Sequence, residues 1–307
     1  MIQPKIYLIV LGSIQSLMKR IFEESSEPLY GRPTSKFTLR PFTIDVLKQI
    51  LRDANPNYQP EDLLCLYAIT GGVAKYVELL IDAKCFTKEK MLNYVCRQDS
   101  YFLTEGKDLL NQEFGAESGT YFSILQVIAA GKTKRSEIDS ILQKDTGAFL
   151  QNLEGRYDLI SRVKPLLAKQ NGKVTSYEIH DNFLRFWFRF IYPHQSLIER
   201  NLFPLLRSNM ANGYDGFTGR TLERYFQDMM METGRFTQAG NWWDRKGQNE
   251  IDLIAINEFD HTGIVAEIKR NAQKISIQKL KEKVTELPGK DFGAYHLELK
   301  ALSLEDM

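Results

Sequence analysis

Three side chains in the C-terminal third of the sequence could do chemistry together: Asp252, Glu267 and Lys269. Asp252 lies in one run of branched apolar residues, and Glu267-Ile268-Lys269 closes the next run after an Asp-His-Thr-Gly turn. This pattern predicts the two strands of a β-hairpin. Because alternate strand residues share a face, Glu267 and Lys269 are expected on the face of Val265, with that face charged and the other packed.

Two carboxylates and an amine on neighbouring strands suit metal-dependent cleavage of a phosphodiester bond. Buried carboxylates repel each other until a divalent cation lies between them, and hard oxygen ligands favour Mg²⁺, with Mn²⁺ as a substitute. We predict Asp252 and Glu267 as metal ligands and Lys269 as the group that orients or deprotonates a metal-bound water. The alternative is a surface hairpin on which the same residues form only weak ion pairs.

The hairpin resembles the PD-(D/E)XK nuclease superfamily, in the Glu-Ile-Asp-Leu-Ile form at residues 250–254. The resemblance implies metal ligation by Asp252 and Glu267 and catalysis by Lys269. It also implies a glutamate on a preceding helix. Glu223 occupies that position, so the resemblance implies that it is a further metal ligand and part of the catalytic site. Ile251 stands where the pattern usually has proline, a minor departure.

The N-terminal part resembles the late part of an AAA+ type P-loop ATPase core. Residues 6–11 and 36–42 read as strands, the first buried on both faces of a parallel sheet, and Gly71-Gly72-Val73-Ala74-Lys75-Tyr76 resembles a lid motif. The closest match is a prokaryotic ATPase family that ends in the nuclease-like domain DUF234. The resemblance implies an ATPase-core remnant at 1–42 and a helical lid bundle at 43–115. Ala74 replaces the usual proline.

The glycine-rich phosphate loop of such an ATPase is not found in the sequence. Gly131-Lys132-Thr133 follows an apolar helical run and lacks the first glycine, so it predicts a helix C-terminus capped by Gly131. We therefore expect a family member truncated at its N-terminus that does not bind or hydrolyse ATP on its own. An ATP-driven switch is an alternative function that this absence disfavours.

Residues 116–195 predict three helices followed by a hairpin, which is the order of a winged helix. Such modules bind DNA with the third helix and the hairpin, or bind protein instead. Asp181 is expected to cap the aromatic helix 181–190, whose rings are expected to pack rather than to stack on bases. Lys132, Lys134 and Arg135 are the predicted phosphate contacts of this module.

A linker is predicted at 196–213, because the stretch from Arg207 to Gly219 is rich in Gly, Asn and Ser. The nuclease-like α/β domain is predicted at 214–307. Arg245 and Lys246, just before the motif strand, are expected to contact a scissile phosphate. Gln278, on the helix after Lys269, is a further candidate for a hydrogen bond near the metal.

The composition limits which partners and which environment the protein can have. The 307 residues carry a formal net charge of +1 and are 43% hydrophobic, so any nucleic-acid surface must be local. Three cysteines without metal-ligand spacing predict reduced core thiols in a cytoplasmic protein, and no apolar run is long enough for a membrane span. DNA is the expected partner, and a homo-oligomer or an ATPase partner is possible.

Taken together, these features predict an α/β multidomain protein with a Mg²⁺-dependent DNA endonuclease site. The rival is a non-catalytic module, in which the winged helix binds DNA or mediates assembly and the nuclease fold only packs.

Overall fold

The computed structural model of the protein describes residues 8–12, 15–114, 118–168, 176–244 and 247–307. Helices dominate its first two thirds and a mixed sheet the remainder. The helices are α1 (Gln15–Glu23), α2 (Ile44–Ala54), α3 (Pro60–Thr70), α4 (Ala74–Asp82), α5 (Lys88–Val95), α6 (Tyr101–Phe114), α7 (Ser118–Ala129), α8 (Arg135–Leu142), α9 (Gly147–Gly155), α10 (Asn182–Phe190), α11 (Gln195–Glu199), α12 (Phe203–Glu232), α13 (Ile277–Thr285) and α14 (Gly289–Phe292).

The strands form two sheets. The first is an antiparallel pair of β1 (Ile160–Val163) and β2 (Ser176–Ile179). The second has four strands in chain order, namely β3 (Gln238–Trp243), β4 (Glu250–Asn257), β5 (Thr262–Ile268) and β6 (His296–Leu302). The first two pairings are antiparallel, and β6 pairs parallel to β5 after a crossover through α13 and α14.

The predicted strands of the N-terminal segment are not formed where it is described. Leu8 and Leu11 are 83% and 89% exposed, and Leu39 is 96% exposed, with no strand assigned at 8–12 or 36–42. The prediction of strands here, including one buried on both faces, is therefore wrong for these residues. An extended segment gains stability from a neighbouring ladder, and neither segment pairs with a strand in the described chain. Ile6 and Tyr7 lie outside the described residues.

The helical pattern predicted from Thr43 to Glu113 is confirmed by α2 to α6. Thr43 caps α2, with its hydroxyl accepting from Val46 N at 3.4 Å, and α3 ends at Gly71, whose φ of 55° is left-handed. The order of three helices and a hairpin is also confirmed, as α7, α8, α9, β1 and β2. Gly131, with φ of 92°, follows α7 as predicted.

Asp181 caps α10 as predicted, since its Oδ1 accepts from Leu184 N at 2.7 Å. The aromatic rings of α10 are buried, which confirms their packing role; Phe186 and Trp187 are 0% exposed. The Arg185 side chain is only 11% exposed. Arg189, four residues later on the same helix, is exposed.

The predicted linker is wrong, because residues 203–232 form the single helix α12. Gly, Asn and Ser weaken a helix, but packing of one face overrides that preference. Leu206, Met210, Tyr214 and Thr218 recur every four residues and are all buried. The Thr218 hydroxyl donates to the Tyr214 carbonyl at 2.8 Å, so its polar atom is satisfied within the helix.

The apolar core is continuous from the helical bundle to the sheet. One buried cluster extends from Ile44 in α2 through Trp187 in α10 to Leu302 in β6. A second cluster lies on the opposite face of the large sheet, where Ile254 and Val265 pack against Leu280 of α13. All three cysteines are free and buried, as expected for core thiols. In the described chain, no helix has the length and apolar character that a membrane crossing needs.

Candidate active site

Lys269 joins the two carboxylates of the hairpin. Its Nζ lies 2.7 Å from Asp252 Oδ2 and 3.8 Å from Glu267 Oε1. The side chains of Asp252 and Glu267 are 9% and 10% exposed, whereas that of Lys269 is 38% exposed. Ile268 N also donates to Asp252 Oδ2, at 2.8 Å. The carboxylates are thus held in place by backbone and ammonium, and the lysine faces the open side.

The strand alternation behaves as expected on β5, with one correction. Ile264 and Ala266 belong to the cluster on one face of the sheet, and Val265 belongs to the cluster on the other. Glu267 follows Val265 by two residues but is buried, so the face expected to be charged is packed as well. Helix α13 packs on that face, and its Lys283 Nζ lies 4.0 Å from Glu267 Oε2.

A register shift between β3 and β4 falls at the site. Between the regular pairs, β3 contributes one residue, Asn241, and β4 contributes two, Asp252 and Leu253. Such a bulge bends a strand and redirects a side chain, and bulges concentrate beside active sites. Asn241 Nδ2 donates to the Asp252 carbonyl at 2.9 Å, so the irregular backbone here keeps a hydrogen bond.

Glu223, on α12, reaches the same site. Asn241 Nδ2 lies 3.4 Å from Glu223 Oε2, and Gln227, one helical turn later, donates to Asn241 Oδ1 at 2.6 Å. Burial, together with the negative charges of Asp252 and Glu250, raises the pKa of Glu223 to about 8. Glu223 is therefore protonated at neutral pH in the absence of a cation.

Lys269 carries its proton firmly. Burial alone would lower the pKa of Lys269, but the hydrogen bond and charge of Asp252, with the charge of Glu267, outweigh burial and raise it. The lysine is therefore an ammonium in this state, suited to hold and orient an anion or a water. Lys283 of α13 adds a second cation, with Nζ 4.0 Å from Glu267 Oε2.

The donor atoms suit a hard divalent cation. Glu267 Oε2 is buried and has no hydrogen-bond partner, and carboxylate oxygens are the ligands that Mg²⁺ prefers. Among the described residues, however, no group of three or more His, Cys, Asp or Glu side chains is close enough to hold a metal ion. The structure brings Asp252 and Glu267 to one ammonium, and metal binding by these two with Glu223 stays a prediction.

The predicted DNA contacts lie apart from the carboxylates. Lys132, Lys134 and Arg135 are exposed at the turn from α7 into α8. Arg135 is engaged by Asp145 at 2.8 Å and by Asp139 at 3.4 Å, which reduces its freedom to bind phosphate.

Two further candidates, Arg245 and Lys246, lie outside the described residues. Gln278 is exposed on α13 and lies 3.5 Å from Glu282 Oε1, and no bond joins it to the site. Its predicted role beside the metal stays a prediction that the arrangement does not favour.

Asn241, Gln227, Lys283 and Arg270 were not identified from the sequence. Gln227 could have been found, because it follows Glu223 by four residues and shares its helix face. Lys283 could not have been identified, because its approach to Glu267 depends on how α13 packs on the sheet. Asn241 gives no signal in the sequence, since a single asparagine beside two tryptophans does not reveal a bulge.

The site lies inside a region that matches a known family. Residues 187–283 match DUF234, described as archaeal and bacterial proteins of unknown function. This segment of the chain is thus similar to DUF234, and it contains Glu223, Asn241, Asp252, Glu267 and Lys269.

An uncharacterized protein of Methanocaldococcus jannaschii is 30% identical over 275 residues, which cover 86% of this chain and 60% of that protein. The chain thus spans less than two thirds of the length of this curated relative. No solved structure gives a significant match to the chain.

Proposed function

We propose that the protein is a metal-dependent phosphodiesterase that cleaves DNA, with its active site in the segment similar to DUF234. One observation supports this most directly: two nearly buried carboxylates, Asp252 and Glu267, meet at the ammonium of Lys269, which is open to solvent. Burying two carboxylates together destabilises a fold unless they have a function or partners. The resemblance to the PD-(D/E)XK superfamily supplies that function.

Each residue would have a distinct role. Asp252 and Glu267, joined by Glu223 once it ionises, would hold Mg²⁺, which when bound lowers the pKa of a water and offsets charge on the phosphate. Ile268 N and Asn241 fix Asp252 from its side chain and its backbone. Lys269 binds and orients the attacking water or the phosphate as a cation. The structure gives it no role as a base in its resting state, because its pKa is raised.

The test is cleavage of supercoiled plasmid and of branched DNA with Mg²⁺ or Mn²⁺. We expect Asp252→Asn and Lys269→Met to reduce the rate by a factor on the order of 100 or more, and EDTA to abolish it. Glu298→Gln is the matched control, because Glu298 lies on β6 of the same sheet but is exposed. Absence of cleavage by the wild type, or equal cleavage by all variants, would refute the enzyme proposal.

A non-catalytic DNA-binding or assembly module is the second candidate. It is favoured by the absence, in the described chain, of a ready group of three metal ligands. The arrangement of α7 to α9 and β1–β2 supports the winged-helix part of this proposal. Binding of DNA by the wild type without cleavage under any metal condition would select it over the first.

A further inference from the structure

Three arginines lie close together where β2 meets α10 and α12, and two of them share one carboxylate. Glu178 Oε1 lies 3.4 Å from Arg185 Nη1 and 3.3 Å from Arg224 Nη1. Arg220, on α12, is close enough for its charge to act on Arg185. Glu178 is thus divided between two guanidinium groups, and it does not neutralise the third.

Arg224 and Arg185 are both committed within the protein. Arg224 donates to the carbonyls of Ile179 at 3.0 Å and His180 at 2.5 Å as well as approaching Glu178. Arg185 is nearly buried, and its Nη1 has no hydrogen-bond partner despite its nearness to Glu178. Asp181 also acts on Arg224, so three arginines face two carboxylates, and an excess of positive charge of this kind attracts an anion.

Arg220 is the member of the cluster that can reach such an anion. Its side chain is exposed, and within the described chain it has no hydrogen bond and no carboxylate within 4.0 Å. Arg220 lies three residues before Glu223 on α12, one helical turn from the candidate active site. Its charge acts on Glu223, where it opposes the burial that raises the pKa of that residue to about 8.

The other side of Arg220 faces the basic turn between α7 and α8. A Cβ built on Gly131 would lie 3.4 Å from Arg220 Nη1, so the guanidinium lies against this turn. The turn is fixed to β2 by the bond from Tyr177 N to the Thr133 carbonyl, at 2.8 Å. Lys132 and Lys134, both exposed, belong to the same turn. Basic side chains thus continue from the active site to the start of α8.

We propose that Arg220 binds a backbone phosphate of a nucleic acid whose neighbouring phosphodiester lies at the carboxylates, and that Lys132 and Lys134 continue this track. The orientation of the strand rests on the proposed function, whereas phosphate binding by Arg220 does not. A planar guanidinium matches the two oxygens of a phosphate. An open, extended row of basic groups suits a polymer of phosphates better than a single small anion.

The test measures binding in EDTA, where cleavage cannot occur, by fluorescence anisotropy with a short labelled DNA duplex over a range of salt concentrations. Arg220→Ala should lower affinity on the order of tenfold, as for loss of one charge-assisted bond. The slope of log K against log salt should become shallower by about 0.9, the value for one phosphate contact. Arg220→Lys should recover the slope more than the affinity.

Arg200→Ala is the matched control, since Arg200 is exposed and precedes the start of α12, which lies about 25 Å along the helix from Arg220. It should leave affinity and slope unchanged, and all variants should keep the melting temperature of the wild type. Equal binding by wild type and Arg220→Ala, or no binding by the wild type, overturns the inference. Binding of inorganic phosphate alone at Arg220, with no binding of duplex, also overturns it.

The outcomes separate the two proposals. If the wild type binds DNA, Arg220→Ala binds it more weakly and no metal supports cleavage, the inference stands and the proposed enzyme function fails. If cleavage occurs and is abolished by Lys269→Met while Arg220→Ala binds as the wild type does, the proposed enzyme function stands and the inference about Arg220 fails.

Discussion

The ammonium of Lys269 bridges Asp252 and Glu267. It offsets the repulsion of two nearly buried carboxylates, so the metal-free site is folded and partly neutralised. A metal ion that binds the same oxygens must share them with the lysine or displace it. The residue thus serves the stability of the free protein as well as the proposed chemistry.

Lys269→Met should therefore destabilise the protein by about 3 kcal/mol in EDTA, since it leaves buried charges without a partner. Added Mg²⁺ should restore part of the loss by taking the place of the ammonium. Thermal melts of wild type and variant, with EDTA and with Mg²⁺, measure both effects. A melting temperature of the variant that does not respond to Mg²⁺ would contradict metal binding by Asp252 and Glu267.

Glu223 should give stability a particular pH dependence. Burial raises its pKa in the folded state to about 8 from an ordinary value of 4.5, so the folded state holds this proton more tightly than the unfolded state. The stabilisation of the folded state by this proton is complete below about pH 4.5 and is lost as pH rises through about 8. Glu223→Gln should remove that loss, which urea melts in EDTA between pH 5 and 9 would detect. Parallel curves for both proteins would refute the raised pKa.

At the scale of elements, helix α12 positions several residues of the site, although its sequence does not predict a helix over its whole length. It carries Arg220, Glu223 and Gln227, yet its first half contains the glycines and polar residues typical of a loop. Local preference predicted a linker, and the buried row along one face overrode that preference. The strands β4 and β5 were predictable, because their branched apolar residues prefer the strand conformation that the packing of both faces also requires.

Gly216→Ala tests whether α12 is continuous in solution. No atom lies within 4 Å of a Cβ added at Gly216, so alanine should stabilise the helix by about 0.5 to 1 kcal/mol. Gly213→Ala is the matched comparison, because there the added Cβ would lie 3.0 Å from Phe190 Cε1 and should remove the gain. Denaturant melts of both variants measure the difference. Equal, negligible effects at the two positions would favour a linker.

At the scale of the whole molecule, Arg270 ties the site to the helical bundle. The residue after Lys269, it donates to Thr218 Oγ1 on α12 and to Glu61 Oε2 on α3, both at 2.7 Å. It also lies 3.2 Å from Asp215. The predicted boundaries separated these regions, whereas the continuous core and this arginine join them. Contacts between residues 209 positions apart have no local signal in a single sequence.

The Arg270–Glu61 pair should be energetically coupled. A double-mutant cycle with Arg270→Ala and Glu61→Ala should give a coupling free energy of about 1 to 3 kcal/mol, because the bond is charge-assisted and largely shielded from water. Urea unfolding of the four proteins measures it. Arg270→Ala with Asp215→Ala is the control cycle, since Asp215 is 75% exposed and should couple weakly. Additive effects in the first cycle would show that the tie is not energetically important.

The bulge at Asp252 has a consequence for recognising distant relatives. Ile251 and Ile254 lie three residues apart yet join the same apolar cluster, and Leu253 between them joins the other. The alternation of the strand therefore slips by one residue at the carboxylate. Both faces of this strand are apolar, so the slip is a property of the backbone and cannot be read from the sequence. Structures of homologues could be searched for such a slip, which would mark the position of the acidic residue even where the residues around it have all changed.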